Sequence, residues 1–179
     1  MLRWSLEASG AAFTLPDGNR VTFWPARRIP PVAPPEPAAS PFLRERVNYS
    51  IRTGAVVGVV AFSAPWTDAR SQVIPAGTYA LRYAIQPAMK EHRGVSAFRD
   101  VLVLVAPGDS TGTDLAALAG AGRRVSGTAH PAVMALLPAA SSGAPPGFIF
   151  TPGTLTLEVR AGRVPLVLGL GGPGAPPPE

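Results

Sequence analysis

Two histidines, His92 and His130, are the only imidazoles in the chain, so an imidazole base or metal ligand must be one of them. His92 lies in the charged stretch Lys90-Glu91-His92-Arg93. His130 lies in the compact polar turn Ser126-Gly127-Thr128-Ala129-His130-Pro131. A metal-dependent enzyme around His92 and His130 would need both loops to meet, with a carboxylate such as Glu91 or Asp100 completing the ligand set. The plainer reading leaves His92 exposed and makes His130 a structural residue that bonds nearby backbone. Nucleophilic hydrolysis would need a serine set against a base and an acid. Ser126 sits in Arg124-Val125-Ser126-Gly127-Thr128, which lacks the Gly-x-Ser-x-Gly elbow and has no adjoining acid. The six Glu and five Asp could supply a carboxylate pair, but no spacing selects one. Gly120-Ala121-Gly122-Arg123-Arg124 looks like half of a phosphate loop; without a following Lys-Ser/Thr it reads as a helix end. With no cysteine, disulfides, thiolate metal sites and Cys nucleophiles drop out. The sequence assigns no catalytic residue, no metal and no cofactor.

Aromatic side chains offer a different chemistry. Trp4, Trp24, Trp66, Tyr49, Tyr79 and Tyr83 could stack on a sugar or peptide, although core packing is the commoner fate of such rings. The candidate ligand-binding residues are Trp66, Tyr79 and Tyr83. Trp66, in the turn Pro65-Trp66-Thr67-Asp68, is expected to be the most exposed. Arg99-Asp100 heads an apolar strand, so these two charges point to opposite faces. Whichever is buried needs a partner, and such a contact specifies the fold more often than it makes a site.

These residues must be positioned by strands. Residues 73–85 begin with a Pro-Ala-Gly turn and continue with Tyr79, Leu81, Tyr83 and Ile85 on one face, the alternation of a half-buried antiparallel strand. The continuous apolar run 55–63 and the apolar strand residues 101–105 are its candidate neighbours. Residues 11–15 and 20–24 flank Pro16-Asp17-Gly18-Asn19, a hairpin turn. Further strands are expected at 2–7, 46–52, 133–137, 148–151, 154–160 and 163–170, with a polar loop at 65–72 and a basic one at 87–94. Residues 113–119 form the one expected helix, capped by Thr113 or Asp114 and stopped by Gly120 and Gly122. The count describes an all-β fold, an antiparallel β-sandwich of about ten strands (jelly-roll or Ig-like) with one short helix and Pro-rich loops; a closed barrel is the alternative. A single domain is expected over 1–171.

Composition bounds what remains. The chain has 179 residues, 46% apolar and only 15% charged, with 22 Pro and 19 Gly. Seven of the prolines fall in 25–41, too many for a sheet interior, so this segment reads as a strap or linker. The Pro/Gly stretch 172–179 reads as a flexible tail. The net charge of +5 comes from scattered Arg residues and the lone Lys90, without the clustered, aromatic-interleaved pattern of nucleic-acid binders. No apolar run is long enough for a membrane span, and no apolar h-region follows the charged start 1–7.

The ordered set Ile74-Pro75-Ala76-Gly77-Thr78-Tyr79-Ala80-Leu81, Gly94-Val95-Ser96-Ala97-Phe98-Arg99-Asp100, Ser126-Gly127-Thr128-Ala129-His130-Pro131-Ala132-Val133 and Pro165-Leu166-Val167-Leu168-Gly169-Leu170-Gly171 resembles an uncharacterised bacterial family of predicted exported β-sandwich proteins. The resemblance covers about 55–171 and implies a periplasmic or extracellular location. The family has no established activity, so no site residue transfers. The expected function is that of a non-enzymatic accessory or structural β-domain acting through protein–protein contacts, with 25–41 and 171–179 as contact arms. A carbohydrate- or peptide-binding sandwich using its aromatics is the alternative.

Overall fold

The computed structural model describes residues 5–29, 49–86, 99–109, 111–137, 147–151, 154–161 and 164–171. Among these residues eleven strands and one helix follow in chain order: β1 (Ala11–Thr14), β2 (Arg20–Pro25), β3 (Val56–Phe62), β4 (Trp66–Thr67), β5 (Val73–Ile74), β6 (Gly77–Ile85), β7 (Asp100–Val105), α1 (Leu115–Ser126), β8 (Val133–Leu137), β9 (Gly147–Thr151), β10 (Thr154–Ala161) and β11 (Val164–Gly171). Nine strands form one sheet in the order β1-β2-β3-β6-β7-β8-β11-β10-β9, and every pairing in it is antiparallel. The mostly-β antiparallel character is as expected from the sequence, and the described residues hold one helix. The described residues, however, build one large sheet curled into a half-barrel. No second large sheet faces it among them, as a sandwich would require.

The curl follows from which faces are apolar. Inner-face residues alternate along each strand: Phe23 on β2, Val60 on β3, Leu81 and Tyr83 on β6, Leu102 and Leu104 on β7, Leu166 and Leu168 on β11. Each large apolar side chain removed from water contributes roughly 1.5–3 kcal/mol, so folding the inner face onto itself is strongly favoured. β2 and β10, with five strands between them in the sheet, come within contact of each other. As the alternation indicated, β6 lies between β3 and β7.

The other face of β6 is covered as well, where the sequence suggested a half-buried strand. Ala80 and Ala84, with Val101, Val103 and Val105 of β7 and Val133 of β8, pack under Leu118 and Ala121 of α1. The helix is longer than expected and passes straight through Gly120 and Gly122. Its start is Asp114, whose Oδ1 accepts the Ala116 N–H at 2.9 Å. Its end is Gly127, left-handed at φ 69°, with its N–H on the Arg123 carbonyl; Arg123 and Arg124 complement the last turn.

The two internal glycines do different work. A Cβ at Gly122 would lie 2.7 Å from both Pro131 Cβ and Val103 Cγ1, whereas one at Gly120 would meet only Arg123 Nη2 at 3.7 Å and Arg124 Nη1 at 3.9 Å. Alanine is favoured over glycine in a helix by about 1 kcal/mol, but overpacking costs about 1–3 kcal/mol. Urea unfolding should therefore show Gly120→Ala stabilised by about 0.5–1 kcal/mol and Gly122→Ala destabilised by a similar amount or more. A stabilised Gly122→Ala would contradict the close helix–sheet packing.

Other expectations shift locally. The polar loop expected at 65–72 contains β4, which pairs with β5 to form a separate ribbon, and the single strand expected over 73–85 is split into β5 and β6. Of the strand expected at 2–7, residues 5–7 contribute one bridge, Leu6 to Ala26, and residues 2–4 with Trp4 lie outside the described residues. At the start of the expected strap, Pro25 ends β2 and both Ala26 and Ile29 are buried in the core. Gly171 likewise still belongs to β11. The strap beyond 29, the expected strand residues 46–48, the loop 87–94 with His92 and Glu91, and the tail 172–179 lie outside the described residues. No helix among the described residues is long and apolar enough to cross a membrane.

Candidate functional site

The aromatic candidates are drawn into the core. Trp66 is 3% exposed, stacks on Phe62 with ring centroids 4.8 Å apart, and donates its indole N–H to the Leu170 carbonyl at 2.7 Å. Tyr83 is fully buried. Tyr79 is half-buried and donates its hydroxyl to the Pro75 carbonyl at 2.8 Å. Trp66 and Tyr83 thus present no ring face to solvent, and the exposure expected of Trp66 is corrected by the partner its indole finds on β11.

Of the charged pair, Asp100 is the buried member, at 0% exposure. Its Oδ1 accepts the Tyr83 hydroxyl at 2.8 Å and the Tyr49 N–H at 3.2 Å. The Tyr49 hydroxyl donates to the Leu137 carbonyl at 2.6 Å and accepts from the Val167 N–H at 3.2 Å. These three side chains therefore tie β6, β7, β8 and β11 to the segment around Tyr49. Arg99 points the other way and donates its Nε to the Gln86 carbonyl at 2.7 Å.

Burial, first of all, pushes the Tyr49 phenol up to about 12 from its ordinary 10, with Asp100 and Glu158 adding to the shift. Tyr83 is raised further, by burial and then by the charge of Asp100 and its hydrogen bond. A phenol held protonated in the fold stabilises it fully below pH 10, and that stability is lost as pH climbs from 10 through 12. Arg70 and Arg82, lowered by burial, act in the opposite sense in the alkaline range. The urea midpoint should stay flat from about pH 7 to 9 and then fall; the fall should be shallower in Tyr49→Phe by up to about 1.4 kcal/mol per pH unit. Equal slopes in the two proteins would refute the assignment to Tyr49.

The remaining sequence candidates are held by local bonds. Ser126 Oγ donates to the His130 carbonyl at 2.6 Å, and the His130 N–H donates to Thr128 Oγ1 at 3.1 Å. Asp68 is 4% exposed and accepts four donors: Arg70 N–H at 2.8 Å, Gln72 N–H at 3.0 Å, Gln72 Nε2 at 2.8 Å and Val133 N–H at 3.1 Å. It thereby fastens the β4–β5 turn to β8. Arg82, buried at 6% exposure, donates to the Gly54 and Gly112 carbonyls and so fastens the turn before α1. Among the described residues, no three His, Asp or Glu side chains are grouped to hold a metal.

What these fasteners leave open is a cleft of about 590 Å³ between α1 and the outer face of the sheet. Ala84, Val101, Val103 and Val133 form its floor, and Leu115, Ala116 and Ala119 its helical wall. Arg70, Gln86, Asp114, Arg123 and His130 supply its polar rim. The Arg70 guanidinium reaches Gln86 Oε1 at 3.2 Å, and burial lowers its proton affinity while Asp68 raises it. Of these residues the sequence offered His130 as a possible ligand, and Arg123 and Asp114 only as parts of helix ends. Arg70, Gln86 and Arg123 come from three segments far apart in the chain, and no spacing links them. No family profile, curated protein or solved structure matches this chain.

Proposed function

We propose that this chain is a non-enzymatic accessory or structural β-domain that acts through contacts with other protein subunits in a larger assembly. The observation that carries this reading is the use made of the buried polar side chains. Asn19, Asp68, Arg82 and Asp100 each bond to segments distant in sequence, Asn19 through Ala64 at 2.9 and 3.0 Å. Polar groups satisfied in this way stiffen a frame and position its loops. Stiff Pro-rich segments gain affinity by losing little entropy on binding, which favours 30–41 and 172–179, the parts of the expected arms beyond the strands, as contact elements. A single domain over 1–171, completion of the curled sheet as a jelly-roll or Ig-like sandwich, and a periplasmic or extracellular location belong to the same proposal; the last two rest on the resemblance of 55–171 to the bacterial family.

The test replaces 30–41 with a Gly-Ser linker of equal length and removes 172–179. The variant should keep the wild-type urea midpoint, while sedimentation of native extracts of the source cell should show the protein shifted from a large species to a monomer. Wild-type protein that already sediments as a monodisperse monomer, with both arms protease-sensitive, would overturn the reading.

A further inference from the structure

The cleft beside α1 has a composition that selects a ligand, independently of the scaffold reading. Its volume of about 590 Å³ falls within the roughly 300–1,000 Å³ of small-molecule sites. Its floor is aliphatic, and apart from His130 no aromatic ring among the described residues lines it, so those residues offer a nucleobase or a sugar no stacking surface. Among the described residues its rim carries two cations, Arg70 and Arg123, against one carboxylate, Asp114, which is engaged with the Ala116 N–H. Arg123 is exposed and makes no ion pair among the described residues, unlike its neighbour Arg124, which pairs with Asp109 at 2.6 Å. At the mouth stands Leu115, 40% exposed, one of only two large apolar side chains left exposed among the described residues.

We propose that this cleft binds a small amphipathic carboxylate of the fatty-acid class, its chain on Val101, Val103 and Val133 under Leu115, its head group on Arg123 with Arg70 on the same rim. The aliphatic floor takes the chain without stranding a polar group. The guanidinium forks suit a planar carboxylate. A cationic head group would meet the excess positive charge of the rim.

Calorimetric titration of the full chain with decanoate, 1-decanol and decyltrimethylammonium tests this. Decanoate should bind about tenfold tighter than decanol, and the cation weakest of all. Methyl NMR shifts should be confined to the side chains that line the cleft, Val101, Val103, Val133 and Leu115 foremost. Arg123→Gln should weaken decanoate about tenfold and leave decanol unchanged. Ala119→Phe should fill the cleft and weaken both; if that variant does not fold, Leu115→Asp at the exposed mouth makes the same test. Equal binding of all three probes, shifts elsewhere, or indifference to Arg123→Gln overturns the proposal. So does a failure of all three to bind with the floor methyls in contact with another segment of this chain or a second copy.

Discussion

Replacing Trp66 with alanine is expected to destabilise the protein by about 3–5 kcal/mol, seen as a lower urea midpoint at unchanged slope. Three contributions disappear together. The ring is 3% exposed, so its whole apolar area returns to water or leaves a cavity. The stack on Phe62, only 4° from parallel, is lost. The Leu170 carbonyl, buried at the end of β11, loses its indole donor. Trp66→Phe separates these effects: it keeps a ring on Phe62 but not the donor, and should cost about 1–2 kcal/mol. If Trp66→Ala cost under about 1 kcal/mol, the residue would be a surface aromatic after all, and the sugar- or peptide-stacking reading would return.

The second large effect is expected at Asp100. Asp100→Ala should cost about 3 kcal/mol, because it orphans the buried Tyr49 N–H and leaves a gap among β6, β7 and the Tyr49 segment. The Tyr83 hydroxyl can still turn to the Tyr49 carbonyl at 3.1 Å, which limits the loss. Asp100→Asn keeps an acceptor at Oδ1 and should cost less, about 1 kcal/mol, by the same urea measurement. An Asn variant as damaged as the Ala variant would mean that charge, and not hydrogen bonding, matters at this position.

How much was legible in the sequence follows from the range of the interactions. The β6 alternation and the apolar runs of β3 and β7 are local signals, and they placed these three strands side by side. The Asp-Gly hairpin joining β1 and β2 was equally local. The burial of Trp66 was not, because it depends on a carbonyl 104 residues away. The length of α1 was misjudged because glycine lowers helix propensity wherever it stands, and only the sheet beneath shows that Gly122 is there for contact. Alternation tells which residues share a face, not whether strands close into one curled sheet or two facing ones. The α1 cleft was invisible for a similar reason: its rim is assembled from residues 70, 86, 114, 123 and 130 only after the helix docks.

Among the described residues, Asp100, Tyr83, Asp68 and Trp66 are engaged as structural fasteners. A double-mutant cycle on Asp100→Ala and Tyr83→Phe, read by urea unfolding with circular dichroism, tests it most directly. A coupling of about 1–3 kcal/mol is expected, with substantial destabilisation in each single variant. Two nearly neutral single variants whose effects simply add would contradict it, and Asp100 and Tyr83 would then need a role outside the fold's own stability.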